Sequence, residues 1–244
     1  MNIAILGATR GMGRELARRL AERGDRLFLW GRDADLLDAQ ATDLRLRGAV
    51  EVATGPCDLA DPATFGPAVA AAVGKLGRLD AVVITAGAFG TQEQLEADPD
   101  LCARVLDLDF TKTVLLCEVV RKHLLAAGGG ALVVFSSVAG DRGRKTVGLY
   151  GAAKAGLSHY LEALDHRYRA AGLVTVCVKP GFVRTGMTAG LPEPPFAADA
   201  AEVADVVVRA MSRGAPLVYA PPIWGWVMRV IRWLPRAVMR RVGF

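Results

Sequence analysis

The 244-residue chain predicts a doubly wound α/β domain, a seven-stranded, mostly parallel sheet with helices on both faces, and three observations carry that expectation. Short runs rich in Val, Ile and Leu alternate with longer segments of helical period, as in βαβ units whose strands are buried on both sides. Gly24, Gly48, Gly128 and Gly172 stand at the ends of four of the helical segments, where glycine stops a helix by turning left-handed. A glycine-rich turn at 7–13 directly follows the first apolar run and opens the first helical segment.

In chain order, the apolar runs predict strands near 2–6, 26–31, 49–54, 79–84, 130–135, 173–178 and 216–219. The segments of helical period predict helices near 11–23, 33–47, 62–75, 100–127, 148–171 and 200–212. No internal repeat or Ser-rich linker interrupts them, and Leu191-Pro-Glu-Pro-Pro195 reads as a loop. Residues 1–220 therefore form one catalytic-sized domain and 221–244 a separate C-terminal tail.

Composition narrows the function. With 52% hydrophobic and 23% charged residues the chain can bury a core. Four widely spaced cysteines (57, 102, 117, 177) suit a reducing compartment and neither a disulfide framework nor a metal site. The start lacks the features of a signal peptide and no apolar run reaches the roughly 18 residues of a span, so a cytoplasmic location is expected. The net charge of +5 equals the five arginines of residues 217–244 (229, 232, 236, 240, 241), which have no acidic neighbour in that stretch. No nucleic-acid-binding signature accompanies them.

The turn Gly7-Ala-Thr-Arg-Gly11-Met-Gly13 lets the backbone approach a pyrophosphate at the positive end of a helix, which makes Gly7, Thr9, Arg10, Gly11, Met12 and Gly13 candidate cofactor contacts. The second strand ends Leu29-Trp-Gly-Arg-Asp33. An NAD site usually places a carboxylate at that strand tip, to accept from the ribose 2′-hydroxyl. Here the tip is Gly31, and Arg32 with Arg10 can pair with a 2′-phosphate, which favours NADPH. Asp33 reads as the cap of the next helix.

Ser137, in Ser136-Ser-Val-Ala-Gly140, follows the fifth strand, and thirteen residues later come Tyr150 and then Lys154. Tyr150 and Lys154 are i and i+4, on one helix face. A phenol of reference pKa about 10 needs help to exchange protons near neutrality, which an adjacent ammonium supplies, while Ser137 holds the substrate oxygen. The three histidines (123, 159, 166) lack metal spacing, and no GxSxG elbow marks a hydrolase. No metal is expected.

In this ordered combination the chain resembles the short-chain dehydrogenase/reductase family, from Met1 to about residue 220. The matching motifs are GxxxGxG at 7–13, Asp58 in Cys57-Asp-Leu59, Ala86-Gly87, SxxG at 137–140, YxxxK at 150–154 and Pro180-Gly-Phe-Val-Arg-Thr185. The resemblance implies a Rossmann fold in which Asp58 and Leu59 meet the adenine and Ala86 and Gly87 pass the adenine ribose. It further implies that Lys154 binds the nicotinamide ribose, and that Val183 and Thr185, in the segment opened by Pro180 and Gly181, hold the carboxamide. The family commonly has Asn where Thr85 and Asp109 stand here. Its second Asn supports a water chain to the lysine. Asp109 is nearly isosteric and counts as a fourth catalytic candidate, with a charge that raises the lysine pKa. By the same analogy a homodimer or homotetramer is expected.

In the tail, Arg229, Arg232, Arg236 and Arg240 share one side of a helical winding, with Val227, Ile231, Leu234 and Val238 on the other, and Pro235 splits it into two short helices. Such a helix with tryptophans and no acid suits an anionic membrane interface. Packing on a neighbouring subunit or over the substrate mouth is the alternative. Together with the 183–191 loop and Thr85, the tail resembles that of decaprenylphosphoryl-2-keto-erythro-pentose reductases, which implies a keto-sugar on a lipid phosphate as substrate, with Arg184 and the tail arginines toward the phosphate. Three functions follow in order: an NADPH-dependent carbonyl reductase of a lipid-linked substrate, a soluble 3-oxoacyl or small-ketone reductase, and a nucleotide-sensing or interaction protein with blunted chemistry.

Overall fold

A computed structural model describes residues 1–243. The sheet order is β3-β2-β1-β4-β5-β6-β9, and every pairing is parallel. Its strands are β1 (Asn2–Leu6), β2 (Arg26–Gly31), β3 (Glu51–Pro56), β4 (Ala81–Ile84), β5 (Gly130–Phe135), β6 (Leu173–Pro180) and β9 (Leu217–Ala220). Two two-residue strands, β7 (Val183–Arg184) and β8 (Ala198–Asp199), pair separately. The helices are α1 (Gly11–Glu22), α2 (Ala34–Leu46), α3 (Phe65–Leu76), α4 (Gln92–Ala97), α5 (Pro99–Leu106), α6 (Thr113–Ala126), α7 (Gly148–Tyr168), α8 (Ala200–Arg213), α9 (Ile223–Trp233) and α10 (Arg236–Met239).

Alternate strand residues supply the two cores. Ile3, Ile5 and Val176 pack against Leu16 and Leu20 of α1 and Val203 and Val207 of α8. Ala4, Val82 and Leu132 pack against Phe65, Leu116, Val120, Leu157 and Leu161. Because β1 is flanked by β2 on one side and β4 on the other, chain order reverses there and leaves a crevice beyond the carboxyl ends of both strands. Gly24, Gly48, Gly128 and Gly172 all have positive φ, as their role as helix stops requires.

The long helix expected over 100–127 is instead α5, a π-helical turn (Asp107–Lys112) and α6. Asp98 caps α5 by accepting from the amides of Asp100 and Leu101, both at 3.0 Å, with Pro99 in the first turn. Helix α4 had no counterpart among the expected elements, although its capping box was readable: Thr91 accepts from the Gln94 amide and Gln94 Oε1 accepts from the Thr91 amide.

The tail breaks at Pro235 as expected, but its inward face differs. Trp224, Met228 and Ile231 are buried with Val138, while Val238 is exposed. The expected winding counted only the aliphatic side; the indole of Trp224 and the thioether of Met228 fill the seat instead. A second apolar stripe, Ile223, Trp226, Val230 and Trp233, faces outward.

Candidate active site

Ser137 follows β5 and caps a 3-10 turn (Val138–Asp141), its Oγ accepting from the Ala139 amide at 3.1 Å. That turn lies directly on the backbone of α7. A Cβ on Gly140 would stand 2.6 Å from the Lys154 carbonyl carbon, and one on Gly151 2.7 Å from the Ala139 carbonyl oxygen. The glycines of the turn and the helix therefore bring Ser137 to the face that carries Tyr150 and Lys154. Ser136 fastens the same junction, with its Oγ donating to the Lys154 carbonyl at 2.9 Å.

Lys154 is buried, with Nζ 5.6 Å from the centre of the Tyr150 ring, and donates to the Phe135 carbonyl at 3.2 Å. The ring of Phe89 meets Tyr150 edge-on, 5.1 Å between centres. The π-turn aims Asp109 inward, where it is wholly buried: Oδ1 accepts from the Ala88 amide at 2.7 Å and Oδ2 lies 3.6 Å from Lys154 Nζ without a hydrogen-bond partner. The structure thus assembles all four catalytic candidates, and a π-turn at a functional position is a recurrent arrangement.

Their charges interact in a fixed order. Burial raises the Tyr150 phenol above its ordinary value; Lys154 pulls it down, Asp109 pushes it up and the Ser137 hydroxyl lowers it. The lysine acts with the expected sign, but burial outweighs it. Burial alone would depress Lys154, and the facing Tyr150 and Asp109 outweigh that effect and raise it. Asp109 is itself raised by burial, against the pull of Lys154 and the Ala88 amide. At neutral pH Tyr150 therefore keeps its proton, the state required of a general acid.

A cleft of about 340 Å³ lies at the crevice beyond β1 and β4, and Gly7, Thr9, Arg10, Arg32, Asp58, Leu59, Ala86 and Gly87 line it. Gly7, with φ of +97°, and Gly13 both sit where a Cβ would overlap the Thr85 hydroxyl. Thr85 Oγ1 donates to the carbonyls of Leu6 and Gly7 at 3.1 and 3.2 Å, so this threonine ties the glycine turn to β4. No side chain caps the start of α1, which leaves its first amides, at Gly11, Met12 and Gly13, to an anion. These features fit a nicotinamide dinucleotide. Asp33 caps α2 by accepting from Leu36, as expected, and Asp58 is turned onto the Ala60 amide.

Pro180 ends β6, Val183 is buried, and Thr185 abuts Gly11. Gly181 is held against the indole of Trp224, which any Cβ would overlap. These four residues do not line the 340 Å³ cleft, and Thr185 is next to the glycine turn through Gly11. Arg184 is committed to carboxylates, at 2.6 Å from Glu193 and 3.1 Å from Asp199, and so is not free for a substrate phosphate. Arg104 of α5 lines the cleft and was missed, since a lone arginine in a helical segment carries no motif. His123, His159 and His166 are exposed.

The chain belongs to the short-chain dehydrogenase/reductase family: the short chain dehydrogenase model matches residues 1–195. It is 36% identical over 244 residues to an uncharacterized oxidoreductase of Mycobacterium tuberculosis, covering 98% of this chain and 96% of that protein. It is 35% identical over 191 residues to a cis-4-hydroxycyclohexanecarboxylate dehydrogenase of Sinomonas cyclohexanicum, covering 77% and 75%. A variant of actinorhodin polyketide ketoreductase, solved with NADPH, superposes with a TM-score of 0.80 at 26% identity, covering 91% and 97%. The chain is therefore an oxidoreductase of the family that uses NAD(P)H.

Proposed function

We propose that the protein is an NADPH-dependent carbonyl reductase, and the observation that carries this reading is the convergence of Ser137, Tyr150 and Lys154 beside the nucleotide cleft. NADPH would supply a hydride to the carbonyl carbon. Ser137 orients the carbonyl oxygen, the Tyr150 hydroxyl donates a proton to it, and Lys154 stabilises the phenolate left behind and reaches the ribose. The raised phenol keeps its proton near neutrality, as donation to the carbonyl oxygen requires. Gly7, Gly11 and Gly13 with the open start of α1 take the pyrophosphate.

Arg32 and Arg10 line the cleft, and of the two carboxylates beside them Asp33 caps α2 and Asp58 accepts from the Ala60 amide. NADPH is expected to bind more tightly than NADH, and Arg32→Ala to narrow the gap by about 1.5–3 kcal/mol, the scale of a charge-assisted contact. Titration of both nucleotides checks this, and equal dissociation constants in the unmutated protein refute it.

The substrate reading is a carbonyl compound held at an anionic membrane surface, of which a keto-sugar on a polyprenyl phosphate is the example suggested by the tail. What supports it is the outward stripe Ile223, Trp226, Val230 and Trp233 beside Arg229 and Arg232. No helix among the described residues is long and apolar enough to cross a membrane, so association would be peripheral. Trp226→Ser with Trp233→Ser, at 63% and 85% exposed positions, should abolish sedimentation with anionic vesicles and leave a short soluble ketone's turnover unchanged. Binding should also weaken with salt, because about 1 kcal/mol per basic residue is electrostatic. Equal pelleting of both forms, or of neither, returns the tail to subunit packing and the substrate to a soluble 3-oxoacyl or small ketone.

A further inference from the structure

The connection between Ser137 and Tyr150 carries a second cationic feature that reduction does not use. Arg142, Arg144 and Lys145 from this loop face Arg236 and Met239 of α10 and the following Arg240 across an open groove of about 520 Å³, and no carboxylate lines it among the described residues. Arg142 Nη2 donates to the Leu234 carbonyl at 3.0 Å, which clasps the loop to the tail where α9 ends. Arg144 is half-buried, and its Nε is fully buried without a hydrogen-bond partner. The nearest acid in sequence, Asp141, is spent elsewhere: Lys179 donates to it at 2.5 Å and the Tyr219 hydroxyl at 2.7 Å. Five cations thus converge on one groove, with an orphaned donor and no carboxylate among the described lining residues.

We propose that this groove binds the phosphate ester of an amphiphilic ligand, as a subsite separate from the nucleotide cleft. A phosphate offers three acceptor oxygens in the geometry a guanidinium fork satisfies, and Arg144 Nε would gain the acceptor it lacks. A ligand of one or two phosphates suits a concave groove with a buried donor better than a broad acidic protein surface does. The groove's own apolar wall is Met239, which would meet the first carbons of the ligand's chain. Arg142 lies five residues after Ser137, so their Cα atoms can be at most about 17 Å apart, short enough for one substrate to span if groove and hydroxyls open to the same face. The placement of the substrate rests on the reductase reading; the phosphate site itself does not.

The test is calorimetry with octyl phosphate, octanol and inorganic phosphate on protein saturated with NADP+, which keeps phosphate out of the glycine turn. Saturable binding of octyl phosphate, none of octanol, and about tenfold weaker binding for each of the exposed substitutions Arg236→Glu and Arg240→Glu are expected. Arg144→Gln should weaken it as well, and since that residue is half-buried the two exposed variants carry the decision. Inorganic phosphate binding as tightly as octyl phosphate would identify a free-phosphate site and overturn the amphiphile. Pelleting with phosphatidylglycerol vesicles without saturable octyl phosphate binding would assign the arginines to a membrane surface and overturn the groove. Reduction of a short soluble ketone, measured in parallel, fails only if the reductase reading fails.

Discussion

Tyr150→Phe loses about 10²- to 10⁴-fold in turnover while nucleotide binding stays near normal. The substitution removes one oxygen and the proton it carries, and general acid catalysis is worth that factor. The ring keeps its edge-on contact with Phe89 and its place beside Lys154, so the helix face is preserved. Because burial holds the unmutated phenol above its ordinary value, carbonyl reduction should show no loss from Tyr150 ionisation until pH passes about 10. Steady-state rates and nucleotide titrations of the two proteins check this. Near-normal turnover by the purified variant would remove Tyr150 from the chemistry.

Lys154→Met is expected to abolish activity and also to destabilise the fold, by up to about 3–5 kcal/mol at alkaline pH. The reason is Asp109, wholly buried 3.6 Å from Lys154 Nζ and left without its cation. Protonation of that carboxyl limits the cost at low pH. Asp109 is already raised in the fold, so the folded state holds its proton to higher pH than the unfolded chain does. Stability of the variant should therefore fall as pH rises from the unfolded carboxylate value of about 4 toward the raised folded one. Adding Asp109→Asn should restore stability without restoring turnover. Asp109→Asn alone should fold and keep similar or higher activity at neutral pH, since it removes a charge that raises both Lys154 and Tyr150. Urea unfolding at two pH values measures the first effect. A double variant as unstable as Lys154→Met, or a pH-independent loss, would show that the buried pair is not its source.

The sheet was legible because its central strands β1, β4 and β5 are nearly continuous apolar runs and each stopping glycine has to turn left-handed; the seven strands fall within two residues of their expected bounds. The site was legible where chemistry fixes residue type and spacing, as with Tyr150 and Lys154 one helical turn apart, or Gly7 and Gly13 under Thr85. What sequence spacing could not show was geometry that depends on register in space. The π-turn at 107–112 is indistinguishable from an α-helix by period, yet it decides that Asp109 points at Lys154. Likewise the pairing of Arg184 with Glu193 and Asp199, and the convergence of Arg142, Arg144 and Lys145 with Arg236 and Arg240, join residues from different elements. The tail's seat on Val138 was missed because tryptophan and methionine serve equally well on an inward or an outward face.

We propose that this site passes hydride and proton to a carbonyl. This is tested most directly by following NADPH oxidation, with product analysis, against β-ketoacyl thioesters, cyclic ketones and a polyprenyl-phosphate keto-sugar. The expected result is an alcohol formed in step with NADPH consumed, faster than with NADH, and lost in Tyr150→Phe. Tight nucleotide binding with no carbonyl reduced by either cofactor would contradict it, and would leave a nucleotide-sensing protein that keeps the fold.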